Sequence, residues 1–303
     1  MSVTAQDRPV VLCAGIAVLD FIFRVERFPT PSTKTATQEF LITGGGCAAN
    51  AAIAIARLGG EARFVGPLGD DQHAECVAQG LTQAGVNIDA VTRVTRATTS
   101  ISGIFIDCNG ERLLTTRRSQ GLAPTRARHP DGLVQNIDVL LADNHFTEYV
   151  LPICAAARAR GLPVVLDIDK PTKLSDGLLA QGSHVIFSAE ALGATSGTDQ
   201  LELALTRAAE HCCGFVAVTD GEHGAFWVAG NARGHQAAFA VAAIDTLAAG
   251  DVFHGAFALA LAEGRKEVEA LRFASAAAAL KCTRFGGIVG APARLAVDQL
   301  LND

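Results

Sequence analysis

A single carboxylate, Asp251, follows the small residues Ala248, Ala249 and Gly250 at the start of an almost wholly apolar segment. Because this segment is apolar on nearly every side, we expect a buried helix running from Gly250 to about Glu263. The first N–H groups of a helix have no partner within it, and with small side chains around them they favour an anion such as phosphate. Asp251 is then placed to deprotonate an alcohol that attacks a phosphoryl group. The alternative for an isolated Gly-Asp pair is a helix N-cap.

Three glycines precede a second polar side chain near the N-terminus, in the motif Gly44-Gly45-Gly46-Cys47-Ala48-Ala49-Asn50. Glycines before a helix let the backbone touch a polar ligand, and the amide of Asn50 offers both a donor and an acceptor to a vicinal diol. Taken alone, the motif is better explained as a glycine-rich turn with a capping asparagine.

Short apolar runs alternate with Ala- and Leu-rich segments along the chain. This alternation at this spacing predicts an α/β fold, with a mostly parallel sheet flanked by helices on both faces. The predicted strands are the run that leads into Gly15 and the ranges 62–65, 139–142, 163–167, 184–187 and 215–219. The clearest predicted helices are 48–58, 73–84, 151–159 and 201–211.

Two inserts interrupt this alternation, at about 21–43 and 98–118. The second contains Asn109-Gly110 between two apolar runs, and Asn-Gly supplies the positive φ angles of a tight hairpin turn. We expect the inserts to form a small β-sheet lid beside the main sheet, within a single domain spanning residues 1–303. The apolar run 101–106 suits a homodimer through the lid, and a monomer is equally compatible with the sequence.

Composition excludes several classes of protein. A net charge of −6 with few lysines argues against nucleic acid as a partner. The longest nearly uncharged runs fall short of the roughly 18 apolar residues of a membrane span, and the N-terminus lacks an export signal pattern. The 8 cysteines show no CxxC spacing, which favours reduced thiols and a cytoplasmic location.

Five ordered motifs together resemble the ribokinase-like (PfkB-type) carbohydrate kinases. The resemblance covers residues 10 to about 292, nearly the whole chain. The motifs are Gly15-x-x-x-x-Asp20, Gly44 to Ala52 with Ala56-Arg57-Leu58-Gly59, Val65-Gly66-x-x-Gly69-Asp70-Asp71, Val218-Thr219-x-Gly221-x-x-Gly224, and Asp245-Thr246-x-x-Ala249-Gly250-Asp251-x-Phe253-x-Gly255.

The resemblance implies a three-layer fold with a β-sheet lid and transfer of the γ-phosphoryl group of ATP to a sugar hydroxyl, with Mg²⁺ bridging the phosphates. It implies that Asp251 is the base and that the amides of Ala249, Gly250 and Asp251, preceded by Ala248, form an anion hole. The implied sugar site is Asp20, Gly45, Gly46 and Asn50, and the implied ATP site is Thr219, Gly221 and Gly224 with Ser188 beside them.

Two expectations concern metal ions. The family often carries Asn-x-x-Glu after the strand that here ends at Phe187, where this chain has Ser188-Ala189-Glu190-Ala191. Either Glu190 substitutes, or Mg²⁺ is held by phosphates and water alone. Many members also bind a monovalent cation such as K⁺, which would lie near Asp245 and the loop 284–290. A second departure, Ala248 where many members have glycine, is acceptable if φ stays negative.

The identity of the acceptor depends on the cations near the lid. Lys34, Arg117-Arg118, His145 and Lys170 would suit a sugar phosphate, a sugar acid or a sulfosugar, and the alternative is that they are solvated surface charges. Segments around 250–256, 272–275 and 278–287 resemble the sulfofructose kinase branch. Where that branch has an Asn and an Arg near the sulfonate, this chain has Thr116 and His145. Fructose or a phosphorylated ketose remains open.

Other classes of protein share this α/β pattern. A dehydrogenase is disfavoured because no G-x-G-x-x-G follows the first strand, and a P-loop kinase because no Gly-Lys-Ser/Thr occurs. A nucleoside kinase would use lid aromatics such as Phe21, Phe23, Phe28 and Phe105 to stack a purine. A non-catalytic sugar sensor would lose the base, and Asp251 is present.

Overall fold

The computed structural model describes residues 8–302. Within this range the strands are β1 Val10–Ala14, β2 Val18–Arg24, β3 Glu39–Gly45, β4 Glu61–Val65, β5 Pro67–Leu68, β6 Thr92–Arg93, β7 Ile101–Ile106, β8 Arg112–Arg117, β9 Val139–Asp143, β10 Val164–Ile168, β11 His184–Ser188, β12 Phe215–Thr219, β13 Ala225–Ala229 and β14 Ala232–Gln236. The α-helices are α1 Cys47–Arg57, α2 Gln72–Gln83, α3 Pro130–Leu133, α4 Thr147–Ala159, α5 Ala189–Ser196, α6 Leu201–Ala209, α7 Ala249–Ala262, α8 Glu267–Cys282 and α9 Arg294–Asn302.

The main sheet has eight strands in the order β14-β13-β12-β11-β10-β9-β1-β4. The six strands from β12 to β4 run parallel, and β13 and β14 add antiparallel strands at one edge. The predicted α/β class and mostly parallel sheet are confirmed, and so are the predicted strands and helices, with ends shifted by a few residues. The helix expected from Gly250 to Glu263 is α7.

Two separate cores lie on the two faces of this sheet, because successive side chains of a strand point to opposite faces. On β1, Val11 and Cys13 pack into a core with α1, α2, α7 and α8, whereas Leu12 and Ala14 pack into a second core with α4, α5 and α6. Since both faces of the strands are buried, they are continuous apolar runs, which is the pattern of parallel sheets.

The lid is a second sheet of four strands in the order β3-β2-β7-β8. Its strands β2 and β3 extend beyond the insert expected at 21–43, because β2 begins at Val18 and β3 ends at Gly45. The Asn109-Gly110 hairpin is confirmed, with φ of 79° at Gly110 and an Asp107 to Glu111 backbone hydrogen bond of 3.0 Å.

The two faces of the lid differ in chemistry. One face carries Asp20, Ile22 and Ile104 toward the loop before α7, where Leu247 joins their small core. The opposite face carries a row of Phe40, Phe23, Phe105 and Leu113, one residue from each strand. The polar side chains of the lid that point inward therefore meet the carboxyl ends of the main-sheet strands, where ligands bind in open α/β sheets.

No helix within residues 8–302 combines the length and the apolar character that crossing a membrane requires.

Candidate active site

Helix α7 begins in an open turn at the carboxyl edge of the sheet. Ala248 precedes its first residue with φ of 63°, so the expectation of a negative φ at this alanine is wrong. The left-handed region is disfavoured for a residue with a Cβ, and this turn therefore holds backbone strain at the site. A Cβ on Gly250 would meet no atom within 4 Å, which leaves room for a ligand against the helix end.

The amides of this turn are used unequally. The N–H of Ala249 donates to the carbonyl of Thr246 at 3.2 Å, whereas the N–H groups of Gly250 and Asp251 have no acceptor among residues 8–302. Of the three amides expected in the anion hole, two are therefore available to a phosphate. Their donors lie at the positive end of a buried helix, which strengthens the attraction for an anion.

Asn50 on α1 holds the carboxylate of Asp251. Its Nδ2 donates to Asp251 Oδ2 at 2.6 Å across the packed pair α1 and α7. This packing is close because Gly255 faces α1, where a Cβ would lie 2.6 Å from the carbonyl oxygen of Ala51. The side-chain oxygen of Asn50 is buried without a partner in the described chain, so it can accept a hydrogen bond from a hydroxyl.

Asp251 titrates at a pH suited to a general base. Burial raises its pKa to about 6, the hydrogen bond from Asn50 opposes the rise, and the charge of Asp169 adds to it. A base whose pKa lies near the working pH both is deprotonated and retains driving force for proton removal.

Asp20 lies on the lid side of the same site, against Gly45. A Cβ on Gly45 would lie 1.9 Å from Asp20 Oδ2, so only glycine fits there. Burial raises the pKa of Asp20 to about 7, a hydrogen bond from Ser102 opposes the rise, and the charge of Asp251 adds to it. The hydroxyl of Ser102 lies 3.1 Å from that of Thr116 on β8, so Thr116 reaches the site through Ser102.

His145, after β9, is buried and contacts the exposed Asp169, a partnership that the sequence did not predict. Its Nε2 lies 2.8 Å from Asp169 Oδ1, and the Cys47 thiol donates to Asp169 Oδ2 at 3.4 Å. Burial lowers the pKa of His145, but the hydrogen bond to Asp169 and the charges of Asp143 and Asp169 outweigh it, so the pKa is raised. Its other ring nitrogen, Nδ1, is buried and unpartnered within residues 8–302.

Asp143 and Asp167 are further buried acids that sequence reasoning missed. Asp143 Oδ2 accepts from the N–H of Ile16 at 2.7 Å, and a Cβ on Gly15 would lie 2.0 Å from that oxygen. Asp143 therefore fixes the loop after β1. Asp167 Oδ2 lies 3.5 Å from Nδ1 of His254, which donates to the carbonyl of Gly250 at 2.7 Å. Asp143 is the last residue of β9 and Asp167 the last but one of β10, and that position was the signal available in the sequence.

The expected cations of the acceptor site separate into two groups. The positive charge of Arg118 lowers the pKa of both His145 and Lys170. Lys170 donates to the carbonyl of His145 at 3.3 Å, and burial is the main cause of its lowered pKa. Lys34 is exposed in the loop between β2 and β3, and nothing in the described chain brings it to this group.

The residues expected along ATP meet at the ends of two neighbouring strands. Ser188 and Thr219 are paired across β11 and β12, and Ser188 caps α5 by accepting from the N–H of Ala191 at 3.2 Å. Gly221 and Gly224 form the turn after β12, with φ of 52° and 90°. A Cβ on Gly224 would lie 2.1 Å from the carbonyl oxygen of Gln236, so the turn requires glycine.

The residues expected to lie near metal ions have surroundings that suit those ions poorly. Glu190 is exposed on the first turn of α5 and belongs to neither group of side chains in residues 8–302 that could share a metal. Those two groups, Cys47 with His145 and Asp169 and Cys47 with Asp167 and Asp251, contain a thiol, which suits zinc better than magnesium. Asp245 is buried and paired with Lys281 at 3.0 Å.

This combination of fold and site belongs to a known class. A sequence model of the pfkB family carbohydrate kinases matches residues 9–294. The chain belongs to this family, with its ribokinase-like fold, and is a phosphotransferase with an alcohol group as acceptor.

Particular relatives are similar over nearly their whole length. A ribokinase of Bacillus subtilis is 26% identical over 290 residues, 95% of this chain and 98% of its own. The crystal structure of a candidate ribokinase from Agrobacterium tumefaciens has a TM-score of 0.93 at 36% identity, covering 97% and 98% of the two chains. The Arabidopsis thaliana ribokinase in complex with ribose and ATP has a TM-score of 0.84 at 27% identity, covering 98% and 99%.

Proposed function

We propose that this sugar kinase transfers the γ-phosphoryl group of ATP to a hydroxyl of a small carbohydrate, with Asp251 as the general base. The observation that carries the proposal is the position of Asp251, beside two unpartnered amides at the start of α7 and 2.6 Å from Asn50. The carboxylate removes the proton of the attacking hydroxyl, and the amides of Gly250 and Asp251 stabilise the charge on the transferring phosphoryl group.

The sugar lies between the lid and α1 in this proposal. Asp20 and the side-chain oxygen of Asn50 accept hydrogen bonds from sugar hydroxyls, and Gly45 and Gly46 let the backbone approach the ring. Ser188, Thr219, Gly221 and Gly224 line the nucleotide. Support comes from the relative whose structure holds ribose and ATP. Mg²⁺ supplies charge neutralisation on the phosphates when bound, and it is held either by phosphates and water alone or with Glu190 in place of the family's glutamate.

The acceptor is a ketose or an anionic derivative of one, such as a sugar phosphate or sulfofructose. His145, Arg118 and Lys170 place positive charge at one end of the site, while Asp20 and Asn50 suit neutral hydroxyls at the other. Ribokinases and fructokinases are among the relatives. Sulfofructose is therefore one candidate acceptor within this class, and the chain is not assigned to the sulfofructose kinase branch. Lys34 belongs to the acceptor site only if the loop between β2 and β3 closes over it.

A purine acceptor is less well supported. Phe23 and Phe105 stack on each other on the lid face opposite to Asp20, with ring centroids 5.4 Å apart. Phe21 points to the same side and meets His73 edge to face. These aromatic side chains are therefore unavailable to a base bound beside Asp20.

Turnover measurements test this proposal. Formation of ADP is followed with ATP and Mg²⁺ against ribose, fructose, fructose phosphates, sulfofructose and adenosine, each neutral ketose being paired with its anionic derivative. We expect one strong carbohydrate acceptor and no turnover of adenosine.

The base assignment is tested by Asp251→Asn, with Asp131→Asn on the exposed face of α3 as the matched control. We expect Asp251→Asn to fold and bind ATP while kcat falls about 10²- to 10⁴-fold, because the amide cannot accept the proton. The control should keep the parent rate. A near-normal kcat in Asp251→Asn would show that another group removes the proton.

A further inference from the structure

A lysine lies fully buried beneath the turn that begins α7. Lys281, on the last turn of α8, is 0% exposed, and its Nζ donates to the carbonyl oxygen of Asp245 at 2.7 Å. The same ammonium lies 3.0 Å from Asp245 Oδ2, and Asp245 is also 0% exposed. Lysine is almost never fully buried unless it is paired, so this contact is a built feature of the fold.

Asp245 ties three segments together through its remaining lone pairs. Its Oδ1 accepts from the N–H of Leu247 at 2.8 Å, in the loop that leads into α7. Its Oδ2 accepts from the N–H groups of Gly286 and Gly287 at 2.8 and 2.9 Å, in the turn after α8. The pair of Asp245 and Lys281 thus fixes the geometry of the loop that carries the anion-binding amides.

Contacts from the lid and from α8 hold the same loop. Arg112 of β8 donates to the carbonyl of Thr246 at 3.0 Å, and the N–H of Ile244 donates to the carbonyl of Cys282 at 2.8 Å. Asp245 stands three residues before Ala248, so any shift of the pair moves the start of α7 directly.

The environment of Asp245 does not fit a dissolved monovalent cation. Hard cations bind through oxygen ligands, and Asp245 offers its carbonyl and its carboxylate. The ammonium of Lys281 already contacts both, and the carboxylate accepts three N–H groups besides. A second positive charge within a few ångströms would be repelled by the ammonium.

We propose that Lys281 is a built-in cation, whose ammonium neutralises Asp245 and holds the anion-binding turn, so that phosphoryl transfer requires no monovalent cation. Lys281 is a positioning residue in this scheme, because it acts through the loop 245–248 and touches no substrate. The inference rests on the proposed function, since it concerns the turn that receives the phosphate.

The wild-type protein gives the first test. The rate of ADP formation and the melting temperature are measured in chloride salts of K⁺, Na⁺ and choline at equal ionic strength, with ATP supplied as an organic-amine salt. We expect kcat and KM to agree within about twofold across the salts, because the cation site is filled by the protein itself. The melting temperature should likewise show no specific response to K⁺.

Removal of the ammonium gives the second test. In Lys281→Ala we expect kcat in choline to fall at least about tenfold and to recover in part with K⁺, NH₄⁺ or ethylamine, because a small cation can enter the space beside Asp245. The same cations should raise the melting temperature of this variant. Lys266→Ala, an exposed lysine next to the start of α8, is the matched control and should show neither effect.

Several outcomes would overturn the inference. One is a several-fold activation or specific stabilisation of the wild type by K⁺, and another is a folded Lys281→Ala that no cation rescues. If Lys281→Ala does not fold, Lys281→Ser, which keeps a small donor and still leaves space beside Asp245, replaces it with the same expectations. The melting measurements need no turnover. Failure to find an acceptor would therefore count against the proposed function, while the melting temperatures would still test the role of Lys281.

Discussion

Asp20 and Asp251 are two carboxylates of one site, and the environment of each raises its pKa above that of an ordinary aspartate. Burial is the main cause in both, and it raises the pKa of Asp20 to about 7 and that of Asp251 to about 6. Each also feels the charge of a neighbouring acid, Asp251 for Asp20 and Asp169 for Asp251. A group with such a shifted pKa in a cleft is a candidate for chemistry, here proton removal and hydroxyl binding.

These shifts predict the pH dependence of the reaction. Because both carboxylates act in their charged form, protonation should lower kcat/KM for the sugar as the pH falls through about 7 and then about 6. The slope of log kcat/KM against pH should approach one between these values and two below them. In Asp20→Asn the upper step should disappear and the lower one remain. A wild-type profile that stays flat down to pH ~4.5 would contradict the role of both groups.

At the level of single residues, the sequence predicted the site residues that stand in its motifs. It did not predict the contacts between residues that are far apart in the chain. Asp251, Asn50, Asp20 and Gly45 stand in ordered motifs, so their proximity could be anticipated. The partnership of Asp245 with Lys281 spans 36 residues and depends on how α8 packs under the loop before α7. No local spacing encodes that contact, and the same holds for His145 with Asp169.

At the scale of elements, the site depends on where strands and helices approach each other closely. Helices α1 and α7 meet at Gly255, and strands β2 and β3 meet so that Asp20 lies against Gly45. The periodicity of the sequence predicted most of these elements, because buried parallel strands and Ala-rich helices have distinct patterns. It missed α8 and α9 and placed the ends of the lid strands a few residues off, since strand ends are set by pairing rather than by composition.

Gly45 offers a prediction about the end of β3. A Cβ there would lie 1.9 Å from Asp20 Oδ2, so Gly45→Ala must push the carboxylate away from the sugar. We expect the KM for the sugar to rise at least about tenfold, with the KM for ATP nearly unchanged, because a lost hydrogen bond to a charged group costs roughly 1.5 to 3 kcal/mol.

Gly44→Ala is the matched control for this change, because a Cβ on Gly44 would meet no atom within 4 Å. It should leave both KM values close to those of the parent. An equal rise of the two KM values in Gly45→Ala, or a similar loss in both variants, would mean that the change acts on the fold of β3 rather than on the sugar site.

At the scale of the whole molecule, the main sheet and the lid contribute different parts of the site. The main sheet is buried on both faces and supplies the strand ends that carry Asp143, Asp167, Ser188 and Thr219. On the lid face that bears Asp20, Ile22 and Ile104 are buried, whereas the outer face leaves Phe40 50% exposed and Leu113 49% exposed. Contiguous exposed apolar residues on a sheet favour association.

This outer face predicts a homodimer through the lid. The row of Phe40, Phe23, Phe105 and Leu113 is apolar from one edge strand to the other, so pairing with a second copy would remove it from water. We expect Phe40→Asp to convert a dimer to a monomer in sedimentation velocity at micromolar concentration, because burying an unpaired charge is strongly unfavourable. Leu295→Asp, on the exposed face of α9 at 69% exposure, is the matched control and should leave the dimer intact. A wild-type protein that sediments as a monomer at every concentration would show that the lid face stays open to water.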